Sequence, residues 1–346
     1  MGVAITELLV KHDVEMGDLT GKVIAVDGPL WLYQFLSSIR QRDGSLLTDS
    51  KGNVTSHLTG LFSRCINLLE AGIKPVFCFD GEVPKLKKQE RERRKELKEE
   101  AELKFREAEK AHDEGEMKKY AARTSRLTQP MIEEAKQLLQ AMGIPALIAP
   151  SEAEAQASHI AARGDAYAVG TNDADALLFR APRIIRNLNI VGKKKKAGSL
   201  AFVSVVPEQV DLAENLNHLG IDGDQLIALA MLVGTDFNVG GIRGIGPKHA
   251  IKLVKQFGLD FDGLFSSVTW DASFPYPWTE VFYVIKNMPV SDTYNLSWQR
   301  VDEEKVIGLL VADRDFSRER VESMLQRLSK GKGKPKEQKG LGEFIG

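Results

Sequence analysis

The chain is poor in cysteine and has no long apolar run. Its 346 residues include two cysteines, Cys65 and Cys78. That number excludes a disulfide framework and fits a reducing compartment. Cys78 lies in an apolar run and reads as core. No apolar stretch approaches the roughly 18 residues of a membrane span, and the N-terminus lacks the apolar region of a signal peptide. Met1-Gly2-Val3-Ala4-Ile5-Thr6 matches the myristoylation pattern, a short and common one. Charge of one sign is also lacking: Lys+Arg is 47, Asp+Glu 48, net −1. A uniformly basic nucleic-acid binder is excluded, but local basic patches are not. There is no Walker A sequence for a nucleoside triphosphate. Nor is there a Gly-x-Ser-x-Gly elbow for acyl transfer.

What is present is a 43% hydrophobic chain, enough for a large core, built as one elaborated α/β domain or two. Lys22–Val26 reads as a strand ended by Asp27-Gly28-Pro29, with an amphipathic helix after it carrying Trp31, Tyr33 and Phe35. Residues 43–53 form a polar loop, and Thr55 or Ser56 can cap a second helix running to about Gly72. Pro75–Phe79 repeats the first pattern, ended by Asp80-Gly81. Strands alternating with helices imply a mostly parallel sheet flanked by helices, which places Asp27 and Asp80 on one edge. Pro145–Ile148, Ala166–Gly170, Arg183–Ile190 and Leu200–Val206 read as further strands, with Lys193–Lys196 in the turn between the last two.

From Pro84 to about Leu127 the chain is nearly all Lys, Arg, Glu, Ala and Leu. This segment is helical but cannot bury itself, so it projects from the body, with Gly115 as its expected bend. Gln129–Met142 is an ordinary amphipathic helix. Asp222–Gly234 is a mostly apolar helix, and a Gly-rich turn leads from it into a helix ending near Phe257 with Gly258 as C-cap. From Ser329 a Lys- and Gly-rich composition reads as a disordered tail.

Seven acids stand at element ends: Asp27, Asp80, Glu152, Glu154, Asp173, Asp175 and Asp236. Individually they have plain readings. Ser151 can be an N-cap with Glu152 in the first helical turn, and Asp173 and Asp175 can form a polar turn. Taken together they point elsewhere. Converging carboxylates cannot all ionise without cations, and hard oxygen donors suit Mg²⁺ or Mn²⁺ rather than Zn²⁺. A pair of such ions about 4 Å apart makes a phosphoryl-transfer site. Gly244-Ile245-Gly246 at a helix start, followed by Lys248 and Lys252, fits a phosphate clamp. Lys87, Arg91 and Arg94 share one helix face close after Asp80.

These residues resemble the flap endonucleases, the structure-specific 5′ nucleases of replication and repair. The likeness spans essentially the whole chain. It rests on Val26-Asp27 with Tyr33-Gln34-Phe35-Leu36, Thr55-Ser56-His57-Leu58, Phe79-Asp80-Gly81, Pro150 to Ala155, Asp173-Ala174-Asp175, and Gly234-Thr235-Asp236 running into Gly244-Ile245-Gly246. The short tail resembles the archaeal form, which implies a cytoplasmic, nucleoid-associated monomer.

The resemblance implies a PIN-like fold over residues 1–328, with a helical arch at 84–127 and a helix-two-turn-helix element at 222–258. It implies Mg²⁺-dependent cleavage at the junction of 5′ flaps by two metal ions, with 5′-3′ exonuclease activity, in Okazaki fragment maturation and long-patch base excision repair. Asp27, Asp80, Glu152 and Glu154 would gather around one Mg²⁺; Asp173, Asp175 and Asp236 would serve the second. Lys87 would contact the scissile phosphate, with Arg91 or Arg94 as its partner. Tyr33 would stack on the adjacent base. Arg40 and Thr55 would hold the upstream duplex with its one-nucleotide 3′ flap, and the Gly244–Gly246 hairpin the downstream duplex, with a K⁺ ion. Gly2, freed by removal of Met1, would lie near the site, against myristoylation. Gln338, Leu341, Phe344 and Ile345 resemble a sliding-clamp binding box in which Ile345 replaces a second aromatic. Arg180 stands where a glycine is usual. Relatives that cut bubbles or resect recessed 5′ ends share the same site. A catalytically silent junction binder is the alternative of another class, and the full set of acids argues against it.

Overall fold

Two adjacent inner strands of the sheet set the architecture: β2 (Val23–Asp27) and β3 (Lys74–Phe79). Their side chains alternate between two cores. Ile24, Val26, Phe77 and Phe79 pack on one face, Ala25, Val76 and Cys78 on the other. Both faces are covered, so these strands read as continuous apolar runs rather than as alternating ones. The computed structural model describes residues 3–331 except 42, 112, 122–123, 189–192 and 196–201.

The main sheet has the order β1-β9-β6-β5-β2-β3-β4. Its other strands are β1 (His12–Asp13), β4 (Ala146–Ile148), β5 (Ala168–Gly170), β6 (Arg183–Arg186) and β9 (Glu208–Asp211). The five from β4 to β6 across the centre run parallel, and β9 and β1 add an antiparallel margin. A separate antiparallel ribbon pairs β7 (Lys193–Lys195) with β8 (Phe202–Ser204).

Helices carry the chain between parallel strands. Helices α1 (Gly28–Ser38) and α2 (Ser56–Glu70) link β2 to β3. Then α3 (Lys87–Lys110), α4 (Glu114–Ala121) and α5 (Gln129–Ala141) link β3 to β4. Helix α6 (Ala153–Ala162) leads to β5, and α7 (Asp175–Leu178) to β6. Helices α8 (Leu212–Leu219), α9 (Gly223–Val233) and α10 (Pro247–Phe257) follow β9. Because the strands are parallel, their carboxyl ends share one edge, with Asp27 opposite Cys78 in register. At the other edge Gly21 N–H donates to Gly72 O (2.8 Å). Gly164, between α6 and β5, lies there too, exposed and with open space around it.

Several expectations need correction. The break in the charged segment falls between Lys110 and Glu114, not at Gly115. Asp113 Oδ1 accepts from the N–H groups of Gly115 (2.9 Å) and Glu116 (3.0 Å), which caps α4 and puts Gly115 inside its first turn. Lys193–Lys195 form a strand rather than a turn, since they pair with Phe202–Ser204. The strand from Arg183 ends at Arg186. The final helix, Arg318–Gly331, runs past the expected tail boundary at Ser329. Val321, Leu325 and Leu328 are buried and anchor it, and Ser329 Oγ donates to Gln326 O (2.8 Å).

Candidate active site at the carboxyl edge of the sheet

The acids come together where the parallel strands end. Asp27 caps α1: its Oδ1 accepts from Leu30 N (3.0 Å). Asp80 reaches across to α6 and accepts from Ala153 N (2.8 Å). The N-cap position of that helix is Glu152, not Ser151, and Glu152 makes no capping bond. Ser151 Oγ instead donates to Glu82 O (2.9 Å). The capping is therefore done by an acid from another strand, which leaves Glu152 free to face Lys87.

Glu154, Asp173 and Asp175 offer carboxylate oxygens all within 4.8 Å of one another. Glu154 is buried and accepts from Thr171 Oγ1 (3.0 Å). Asp175 N donates to Asp173 Oδ1 (3.1 Å), and Val3 N to Asp175 Oδ1 (2.8 Å). This triad crosses the division that the resemblance implies, in which Glu154 goes with Asp27, Asp80 and Glu152. The charges of Asp173 and Asp175 bear on Glu154 more than that of Asp27 does.

Burial and crowding make these acids hard to ionise. Burial, then the charge of Asp80, raises the Asp27 pKa to about 8. Burial, then Asp173, raises Asp175 to about 8. Burial also raises Glu154, with Asp173 and Asp175 adding to it, and raises Asp173 and Glu152. Such a cluster wants positive charge. Its donors are carboxylate oxygens without His or Cys, which fits Mg²⁺ or Mn²⁺.

Part of that positive charge comes from α3. Lys87 Nζ donates to Glu152 Oε2 (2.5 Å) and lies 3.5 Å from Asp236 Oδ2. Burial opposes its charge, but Glu152 and Asp236 outweigh burial and raise its pKa. Arg94 Nη2 donates to Asp236 Oδ1 (2.6 Å). Of the two candidate arginines, Arg94 is thus placed at the acids; the Arg91 side chain lies outside the described ones. A cleft of about 850 Å³ opens beside the acids, lined by Tyr33, Asp80, Lys87, Arg94, Lys136 and Glu152 among others. Tyr33 is half-exposed there, with Lys98 Nζ 4.7 Å from its ring centre and 3.2 Å from its hydroxyl.

The remaining candidates lie apart from the acids. Gly244 has φ +84°, Gly246 is the N-cap position of α10, and Lys248 and Lys252 are exposed one turn apart. Gly234 and Gly241 hold this loop against α9: a Cβ on Gly234 would come 2.6 Å from Gly241 N, and one on Gly241 2.3 Å from the Val233 carbonyl carbon. Thr55 is buried at the N-cap position of α2 without a capping bond. Arg40 is used internally, donating to Gly44 O and Ser125 Oγ, each at 2.7 Å. Arg180 adopts φ +63°, the left-handed region that suits glycine, and its guanidinium donates to Asp224 (2.9 Å). Gln338, Leu341, Phe344, Ile345 and Gly2 lie outside the described residues.

Sequence reasoning missed three partners of the site. Thr171 donates to Glu154, Lys98 covers Tyr33, and Glu90 binds Arg94. Only Glu90 left a signal, its four-residue spacing to Arg94 on a helix.

A parallel sheet with acids at its carboxyl edge and cations reaching them from a long charged helix is the arrangement of an XPG-type nuclease. The XPG N-terminal domain family matches residues 1–101 and the XPG I-region residues 143–236. The chain is 50% identical over 334 residues to flap endonuclease 1 of Pyrococcus abyssi, covering 95% of this chain and 94% of that one. The solved flap endonuclease-1 from Methanococcus jannaschii superposes with TM-score 0.74 at 43% identity, covering 95% and 98% of the two chains. The catalytic core of Rad2, solved in complex with a DNA substrate, gives TM-score 0.70 at 26% identity over 95% and 100%. The chain belongs to the flap endonuclease family of nucleases. Among the described residues no helix is long and apolar enough to cross a membrane.

Proposed function

We propose that the chain hydrolyses a phosphodiester at the single-strand/double-strand junction of 5′ flaps, with associated 5′-3′ exonuclease activity, during Okazaki fragment maturation and long-patch base excision repair. The observation that carries this reading is the clustering of Glu154, Asp173 and Asp175 beside Glu152 and Asp236, the two acids that Lys87 and Arg94 reach from α3. Glu154, Asp173 and Asp175, with Asp27, Asp80, Glu152 and Asp236 around them, would hold two Mg²⁺ ions, or Mn²⁺ in their place. Bound there, these ions supply a hydroxide nucleophile and charge stabilisation at the leaving oxygen. Lys87 and Arg94 exchange their carboxylate partners for the scissile phosphate and stabilise its growing charge. Tyr33 stacks on the neighbouring base. Residues 84–127 form an arch over the cleft that admits a strand with a free 5′ end.

Duplex binding is assigned to the surroundings. Gly244, Gly246, Lys248 and Lys252 would take downstream phosphates, with K⁺ at the hairpin, and Arg40 and Thr55 flank the upstream side. Gln338, Leu341, Phe344 and Ile345 form the sliding-clamp motif. The protein would act as a cytoplasmic, nucleoid-associated monomer whose folded body reaches Gly331, with the motif in the tail that follows.

The test is Mg²⁺-dependent cleavage of labelled 5′ flap, bubble, nick, blunt duplex and single-stranded DNA. The flap should be cut fastest, at its junction, and a bulky adduct on its 5′ end should inhibit cutting. A preference for the bubble would make the chain a bubble nuclease. Equal rates on blocked and free flaps would remove the arch from the mechanism.

A further inference from the structure

Helix α3 is solvated almost throughout. Of its described side chains three are buried: Ala101, Ala108 and, closest to the acids, Glu90 at 4% exposure. A buried carboxylate needs partners, because burying an unpaired charge is costly. Glu90 has two. Arg93 donates to it through Nε (2.7 Å) and Nη2 (3.1 Å), and Arg94 through Nε (2.6 Å). Burial would push its pKa up, but these hydrogen bonds outweigh it and hold the pKa below the ordinary value.

An acid this near a site for DNA phosphate is electrostatically unfavourable for the substrate. Its contribution has to come from geometry. With Nε of Arg94 fixed by Glu90, the outer end of the guanidinium points at the acids, where Nη2 meets Asp236. A guanidinium is a planar fork, so fixing one edge orients the other.

We propose that Glu90 is a positioning residue for the nuclease reaction: it locks the Arg94 guanidinium so that its outer nitrogens face the place where the scissile phosphate is held. This inference rests on the role given to Arg94 above. The competing account is that Glu90, Arg93 and Arg94 only staple the first turns of α3.

The test is a double-mutant cycle in the full-length protein on a labelled 5′ flap, read as single-turnover rate and junction affinity. The variants are Glu90→Ala, Glu90→Gln, Arg93→Ala, Arg94→Ala and Glu90→Ala with Arg94→Ala. Displacing a catalytic group by a fraction of an ångström to 1 Å costs about tenfold to 10²-fold. Glu90→Ala should slow the chemical step by about that much with junction affinity unchanged. Glu90→Gln, which keeps an oxygen acceptor, should recover most of the loss, and Arg93→Ala should have little effect. In the Arg94→Ala background the Glu90→Ala loss should vanish. A loss that persists there at full strength, or is matched by Arg93→Ala, overturns the positioning role and leaves Arg94 in place. An Arg94→Ala variant as fast as the parent overturns the role of Arg94 itself, and the proposal with it.

Discussion

The acids at the sheet edge and helix α3 are both dense in charge, but they hold it in opposite ways. Glu154 and Asp175 are buried, and backbone N–H groups hold Asp27 (from Leu30), Asp80 (from Ala153) and Asp175 (from Val3) in place. Burial and neighbouring carboxylates drive the pKa values of Asp27 and Asp175 upward, against the pull of their backbone hydrogen bonds. On α3 most charge is solvated: the Lys95 side chain is 71% exposed, but Lys87, which meets Glu152, only 18%. One region keeps its charge in place at an energetic cost, and the other delivers compensating charge through Lys87 and Arg94 of a solvated helix. On the proposed reading, the difference teaches a division of labour: the fixed acids would define where the phosphate is cut, and the solvated helix how its charge is balanced.

The largest expected effect breaks the rigid half. Asp175→Ala should abolish cleavage while flap-DNA binding survives. Turnover near the parent rate in Mg²⁺ would take Asp175 out of the site. The next breaks the helical half alone. Lys87→Ala should lower single-turnover cleavage by about 10²-fold or more, the scale of a lost electrostatic stabiliser. Junction affinity should change little. If affinity falls in step with rate, Lys87 contributes to substrate binding in general and not to the transition state.

A third prediction concerns the cost of the buried acids. For Asp27 and Asp175 the folded pKa lies near 8 against an ordinary 3.8. A pKa raised by folding means that their contribution to stability is complete below the ordinary value and is lost as pH rises through about 8. The melting temperature in EDTA should therefore be lowered by these acids as pH climbs through that window, and Ca²⁺ or Mg²⁺ should restore it. Asp27→Asn should flatten the pH dependence, since asparagine caps a helix as well as aspartate does. An EDTA melting curve whose pH dependence is unaltered by Asp27→Asn would mean that Asp27 ionises there without penalty.

The smallest effect is remote from both halves. Lys248→Ala and Lys252→Ala should each make the salt dependence of binding shallower by about one unit, with cleavage of bound flap unchanged. An unchanged salt slope would separate this hairpin from the phosphate backbone.

The strand-end acids were legible in the sequence because a parallel strand is a continuous apolar run, and the residue that stops it is conspicuous. Asp27 and Asp80 each follow such a run. The antiparallel margin was not legible, since two-residue β1 and four-residue β9 carry too little periodicity to show. The division of the acids into two groups followed the resemblance, but Glu154 crosses it because α6 turns it toward Asp173 and Asp175. Spacing allowed Arg91 or Arg94; only the placement of α3 over Asp236 brings Arg94 to an acid. Thr171 left no trace, because a threonine beside a strand end has many plain uses.

The far edge of the sheet has a practical consequence. Gly164 lies a full strand away from the acids, exposed and with φ +83°. Its neighbours are stapled to the body, Arg163 to Asp292 at 2.7 Å and Asp165 to the Tyr294 hydroxyl at 2.6 Å. A guest sequence spliced in at this turn would leave from two anchored stumps, on the sheet edge opposite the acids. A fluorophore or surface tether installed there should let individual molecules be watched without obstructing the cleft.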